Sequence, residues 1–264
     1  MKRIALAVVA ALSMGFGQAA SAADLPVRVP ATPVVAPSWT GFYVGVHAGW
    51  GWTSTENASS AVDLVGGGTS PSLPQTLNLD SDDPIAGAQL GYNWQTANWV
   101  FGIEGDASGT GLKSTQNGAS ITGAGGIGAC APGAQCGTVT MSEDVKWLAS
   151  VRGRIGAIVG PGMVYVTGGG AWAGVDYSAN AAEAINPGLV FFPAAMTSTV
   201  SGAVAGGGYE WMINNNWTLR GEFLHYWFKG VTTTANGAPT PFIAPYSWSG
   251  FNLNAARLAV NYKF

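Results

Sequence analysis

Eight stretches of this chain alternate apolar and polar residues, near 41–52, 84–95, 99–108, 145–157, 163–177, 199–211, 217–228 and 251–264. The segments joining them run long, short, long, short, long, short, long: about thirty residues, three, about thirty-six, five, about twenty, five and about twenty-two. A period of two places successive side chains on opposite faces of a strand. Strands of this kind with alternately short and long connectors predict an all-β, eight-stranded antiparallel up-and-down transmembrane barrel, its short turns on the periplasmic side.

The amino terminus carries Lys2 and Arg3, an apolar run from Ile4 to about Phe16, and the small residues Ala19-Ala20-Ser21-Ala22-Ala23. This predicts a cleaved secretory signal over 1–23, because the apolar run is shorter than the roughly 20 residues a spanning helix needs. Segment 24–38, with Pro26, Pro30, Pro33 and Pro37, reads as an extended periplasmic lead. The barrel then occupies 39–264.

No later segment offers 18 apolar residues in a row, so any membrane crossing must use strands. Yet charged residues make up only 9% of the chain, against about 25% in soluble domains. Removing the signal leaves nine basic against 14 acidic residues, a net charge of −5. That balance argues against nucleic acid, which requires a basic surface.

In the first strand Phe42, Val44, Val46, Trp50 and Trp52 share one face, and Tyr43, Gly45, His47, Gly49 and Gly51 the other. A charge on the lipid face of a barrel costs about 2–4 kcal/mol at the midplane. The strand charges all fall on the opposite phase: Glu104, Asp106, Arg152, Arg154, Glu210, Arg220, Glu222 and Arg257. Eight strands enclose barely enough room for their own side chains. Four acids and four bases in that space predict a packed interior ion-pair network; a charge-lined pore is the alternative.

Trp94, Trp99, Trp211 and Trp217 bracket short turns and predict a periplasmic aromatic girdle, with Trp50, Trp52, Trp147 and Trp227 forming the outer one. The fifth strand fits less simply. If Tyr165 faces lipid, strict alternation turns Trp172 inward unless Gly168-Gly169-Gly170 holds a bulge. In the last strand Leu258, Val260, Tyr262 and Phe264 alternate outward, and Tyr262 with the terminal Phe264 has the form of an assembly signal for the outer-membrane insertion machinery.

The two cysteines, Cys130 and Cys136, share the second long connector, and in an exported chain they are candidates for a local disulfide. The acids Glu56, Asp63, Asp80, Asp82, Asp83, Glu143 and Asp144 read as solvated loop surface, because Asp80-Ser81-Asp82-Asp83 lacks the spacing and glycine of a calcium loop. Gly123-Ala124-Gly125-Gly126-Ile127-Gly128 matches a dinucleotide fingerprint in letters only, since no helix pattern follows it. His47 falls on the interior phase, where a hydrogen-bonded structural role is expected over a haem ligand. His225 falls on the lipid phase with no serine within two positions, so no hydrolytic triad is expected. No enzyme activity, metal or cofactor is predicted.

The mature start Ala23-Asp24-Leu25-Pro26, the segments Trp39-Thr40-Gly41-Phe42-Tyr43-Val44-Gly45, Val151-Arg152-Gly153-Arg154-Ile155-Gly156 and Tyr165-Val166-Thr167-Gly168-Gly169, and the ending Val260-Asn261-Tyr262-Lys263-Phe264 carry a resemblance. With its long loops excepted, the chain resembles the small outer-membrane barrels of alphaproteobacteria, the Brucella and rhizobial major outer-membrane protein type, akin in architecture to the OmpA membrane domain. The resemblance implies a structural protein of a Gram-negative envelope, in the cell outer membrane, contacting lipid and lipopolysaccharide, its loops available for surface interactions. It leaves open a narrow porin and a haemin, host or small-molecule ligand at the loops.

Overall fold

The computed structural model describes residues 38–60, 63–64, 75–121, 135–183, 190–237 and 242–264. The signal segment, nearly all of the proline-rich lead, Cys130 of the candidate disulfide and the glycine run 123–128 lie outside the described residues.

Eight long strands form a closed ring: β1 (Gly41–Ser60), β3 (Gln75–Thr96), β4 (Trp99–Thr110), β6 (Gln135–Val159), β7 (Gly162–Glu183), β8 (Val190–Met212), β9 (Trp217–Phe228) and β12 (Asn252–Lys263). Each pairs antiparallel with its neighbours in chain order, and β12 closes on β1 from Tyr43↔Lys263 to Ser54↔Asn252. Closure satisfies every backbone group without water, which a sheet in lipid requires. Short turns join β3 to β4 through Ala97, at φ 52°, and β6 to β7 through Gly160, at φ 60°. At the third, the side-chain oxygen of Asn214 accepts from the backbone N–H groups of Asn216 and Trp217, both at 2.9 Å.

The strand positions read from alternation are all present, but the connectors read as long loops are largely strand. β1, β3, β6, β7 and β8 continue past the predicted ends, and β2 (Asp63–Leu64), β5 (Lys113–Ile121), β10 (Val231–Gly237) and β11 (Phe242–Trp248) add to them. Outside lipid the outward face carries Ser, Thr, Asn and Asp, so the apolar half of the alternation disappears although the backbone stays extended. At the membrane exit of β6, the register shifts between Val145 and Trp147. The bulge turns both Lys146 and Trp147 outward.

Nine of the eleven tryptophans are exposed, including all eight assigned to girdles, from 37% for Trp52 to 52% for Trp99. The ninth is Trp172, and Tyr165 is the residue that points inward, at 3% exposure. Pairing runs unbroken through Gly168↔Gly153, Gly169↔Arg152 and Gly170↔Val151. The fifth predicted strand therefore needs no bulge; the premise of a lipid-facing Tyr165 was the error.

The interior is filled in three layers. Beside the short turns, Trp39, Val100, Met163, Tyr165 and Met212 form an apolar floor. The charged residues lie above it. Over them sits a larger apolar cluster that includes Leu79, Ile85, Leu112, Met141, Leu148, Tyr177, Leu224, Tyr246, Trp248, Phe251 and Leu253.

Candidate functional site: the interior charge network

Alternation along each strand delivers the charged side chains inward, and register then decides which of them meet. Glu104 on β4 stands directly opposite Arg152 on β6, Glu210 on β8 opposite Arg220 on β9, and Glu222 on β9 opposite Arg257 on β12. All eight predicted interior charges are buried, none more than 7% exposed.

Bonds across the lumen join these neighbours into a single network. Arg152 binds Glu104, reaches Asp106 at 3.2 Å and meets Glu222 at 3.1 Å. Arg220 lies 2.6 Å from Glu104 and 3.3 Å from Glu210, and Arg154 lies 2.8 Å from Glu210. Arg257 bridges Glu222 at 2.7 Å and Asp106 at 3.0 Å. Four positive and four negative groups cancel, so the layer carries no net charge into a region where an unpaired ion would be very costly.

Two tyrosines that were not singled out as site residues complete it. Tyr43 donates to Glu104 at 2.5 Å, and Tyr165 donates to Glu222 at 2.8 Å. Their rings flank the guanidinium groups of Arg154 and Arg220, at 4.9 to 5.7 Å from centroid to Cζ. Such cation–π contacts stabilise a desolvated guanidinium. The inward phase of Tyr43 was legible in β1; that of Tyr165 was not. Small inward residues make the space: a Cβ on Gly91 would sit 2.4 Å from the Tyr43 hydroxyl, and one on Gly208 would sit 2.9 Å from that of Tyr165.

Neutral donors and acceptors surround the ions. Thr218 and Asn261 donate to Glu210 at 2.6 and 2.9 Å, Ser150 donates to Asp106, and Asn93 accepts from Arg154 at 2.9 Å. His47 is buried between Gln89, at 3.1 Å, and Ser108, at 2.8 Å. His225 faces outward against Trp227 and bonds Asn254 at 2.6 Å.

Among the acids read as loop surface, Asp80 and Asp82 are exposed on β3, and Trp50 donates to Asp82 at 3.2 Å. Glu143 departs from that reading. It lies on β6 with its side chain inward, 5% exposed, because the strand continues where a loop was expected. Its neighbour Asp144 faces out, 2.6 Å from Lys146. Among the described residues, no cluster of three or more His, Cys, Asp or Glu side chains could hold a metal. Tyr262 and Phe264 lie on the lipid face, and the Phe264 backbone N–H bonds the carbonyl of Phe42 at 3.0 Å.

A closed ring of eight antiparallel strands, apolar outside between two tryptophan girdles and charged within, defines an outer-membrane β-barrel. The chain belongs to the outer membrane protein beta-barrel domain family, whose sequence model matches residues 7–264. It is 31% identical over 269 residues to the 31 kDa outer-membrane immunogenic protein of Brucella melitensis, with 100% of both chains covered. With the 25 kDa outer-membrane immunogenic protein of Brucella abortus, identity is 28% over 169 residues, 62% of each chain. Among solved structures, the outer-membrane protein OprG of Pseudomonas aeruginosa matches 85% of this chain and 96% of its own, at 12% identity and a TM-score of 0.43. Family and relatives place the protein in the cell outer membrane. Both Brucella relatives are named as outer-membrane immunogenic proteins, not as enzymes.

Proposed function

We propose that this barrel is a non-conducting structural component of the outer membrane, presenting its extracellular strands for contacts at the cell surface. The observation that carries this reading is the filled lumen. An apolar floor, a neutral ion-pair layer and an apolar upper core succeed one another along the axis, and the charged layer is bonded from wall to wall. Water-filled transport needs a continuous polar path. The girdles set the depth of the barrel in outer-membrane lipid and lipopolysaccharide, and the terminal strand with Tyr262 and Phe264 serves as the signal for the assembly machinery.

The test is planar-bilayer conductance of refolded mature protein, with a heat-modifiability gel to establish that the barrel has formed. A folded, electrically silent barrel is the expected result. Reproducible channel steps that change on mutating Arg152 or Glu222 would overturn the proposal in favour of a narrow porin.

A further inference from the structure

Above the membrane the ring divides. β4 ends at Thr110 and β9 at Phe228, and the strands beyond them form two sheets. One comprises the upper parts of β3 and β1 with β11 and β10; the other comprises β5 with the upper parts of β6, β7 and β8. The outer wall of the second sheet holds a cleft of about 300 Å³.

Register builds this cleft. Lys113, Asp144, Asp176 and Thr197 stand directly opposite one another across β5, β6, β7 and β8, with the Ser142↔Ser178 pair one outward row further up. All six line the cleft. The bulge at Val145 turns Lys146 outward, 2.6 Å from Asp144 and 3.9 Å from Asp176. Asp144 is thereby taken by Lys146, and its cross-strand neighbour Lys113 stays exposed, without an ion pair among the described residues. Thr197 donates to one oxygen of Asp176 at 2.7 Å. The Asp176 side chain is 45% exposed, so its carboxylate keeps acceptor capacity toward solvent.

The cleft opens onto the lipid boundary. The girdle ring of Trp147 covers Gly174, one outward step below Asp176, where an added Cβ would strike its Nε1. Downward from Thr197, the outward residues of β8 are Thr199, Ser201, Ala203 and Ala205, passing from hydroxyls to methyls. Trp147 and Trp172 flank this track on one side and Trp227 on the other. An unpaired ammonium, an accessible carboxylate and hydroxyls above a smooth apolar track complement an amphiphile with an acidic sugar head.

We propose that the cleft seats the phosphorylated sugar head of a lipopolysaccharide molecule, with one acyl chain laid along the small residues of β8. The Lys113 ammonium donates to a phosphate oxygen, Asp176 accepts from a sugar hydroxyl, and Ser142 and Ser178 bond further hydroxyls. The two lysines and two aspartates balance, so a bare anionic lipid gains less here than an acidic sugar. The site deepens the lipopolysaccharide contact proposed above. A conducting lumen would leave it standing, and its failure would leave the silent lumen standing.

Deep-rough lipopolysaccharide, titrated into the refolded mature barrel in detergent micelles and followed by native-gel mobility shift, tests the proposal. EDTA is present so that no divalent ion bridges the aspartates to phosphate. Saturable binding is expected, at least tenfold tighter than that of phosphatidylglycerol. Lys113→Ala should weaken it at least fivefold, and Lys229→Ala, which removes an exposed lysine outside the cleft, less than twofold. Heat-modifiability gels establish that each variant has folded. Absence of saturable binding, equal affinity for phosphatidylglycerol, unchanged affinity in Lys113→Ala, or an equal loss in Lys229→Ala would each overturn the site. Should Lys113→Ala fail to fold, Asp176→Asn decides, and unchanged affinity there rejects it.

Discussion

Arg152 Nη1 lies 3.1 Å from Glu222 Oε1, although β7 and β8 separate their strands in the ring. The bond therefore spans the lumen. It couples the two sides of the barrel through side chains as well as through the ladder, and it places an arginine where a continuous water path would otherwise run.

Removing one member of this pair leaves its partner charged and buried. Arg152→Met takes one cation away from Glu104, Asp106 and Glu222, which keep Arg220 or Arg257, and leaves the buried layer with a net negative charge, at a cost of about 3–5 kcal/mol. The double variant Arg152→Met/Glu222→Gln should lose less than the sum of the two single changes. Urea unfolding from micelles, followed by the heat-modifiability shift, measures all three.

Glycines on the two faces should respond differently. Gly91→Ala drives a Cβ to 2.4 Å from the Tyr43 hydroxyl and displaces its bond to Glu104, at a cost of roughly 1–3 kcal/mol. Gly153→Ala faces lipid, where the nearest atom is 4.0 Å away, and should change stability by less than about 0.5 kcal/mol. The same unfolding assay compares them, and equal costs would contradict the assigned faces.

Charge placement on the outer wall is a direct test of depth. Val46 is 64% exposed and paired between Ala88 and Val260, mid-strand on the lipid face. Val46→Arg should destabilise the barrel by about 2–4 kcal/mol in bilayers. Thr197→Arg, on the water-exposed stretch of β8 above the outer girdle, should be close to neutral.

The extracellular sheets hold two buried tyrosines that resist ionisation. Burial pushes Tyr246 up to about 12, and burial followed by the nearby Glu143 carboxylate raises Tyr177 as well. Both folded-state values lie above the usual value near 10, so their contribution to stability is complete below pH 10. It is lost as pH rises through about 12. Phenolate absorbance should show two late-titrating tyrosines in the variant Tyr43→Phe/Tyr165→Phe/Tyr226→Phe, which lacks the barrel's other buried tyrosines. Urea midpoints should fall between pH 10 and 12.

Period-two alternation by itself determined the strand positions, the closed barrel and the faces of the membrane-spanning segments other than the fifth, because lipid allows only apolar side chains on one side. The eight interior charges were legible for the same reason: none of them can stand in lipid. Their partners were not, since register and curvature decide that Arg152 meets Glu222 and Arg220 meets Glu104 across the lumen. Tyr165 needed the tertiary structure too, because Val164 and Val166 on one side and Tyr165 on the other give the strand two plausible phases. Beyond the membrane the constraint lapses. In water an outward residue can be Ser, Thr or Asp, the pattern fades, and only the fold reveals that Glu143 belongs to a strand and is buried between two sheets.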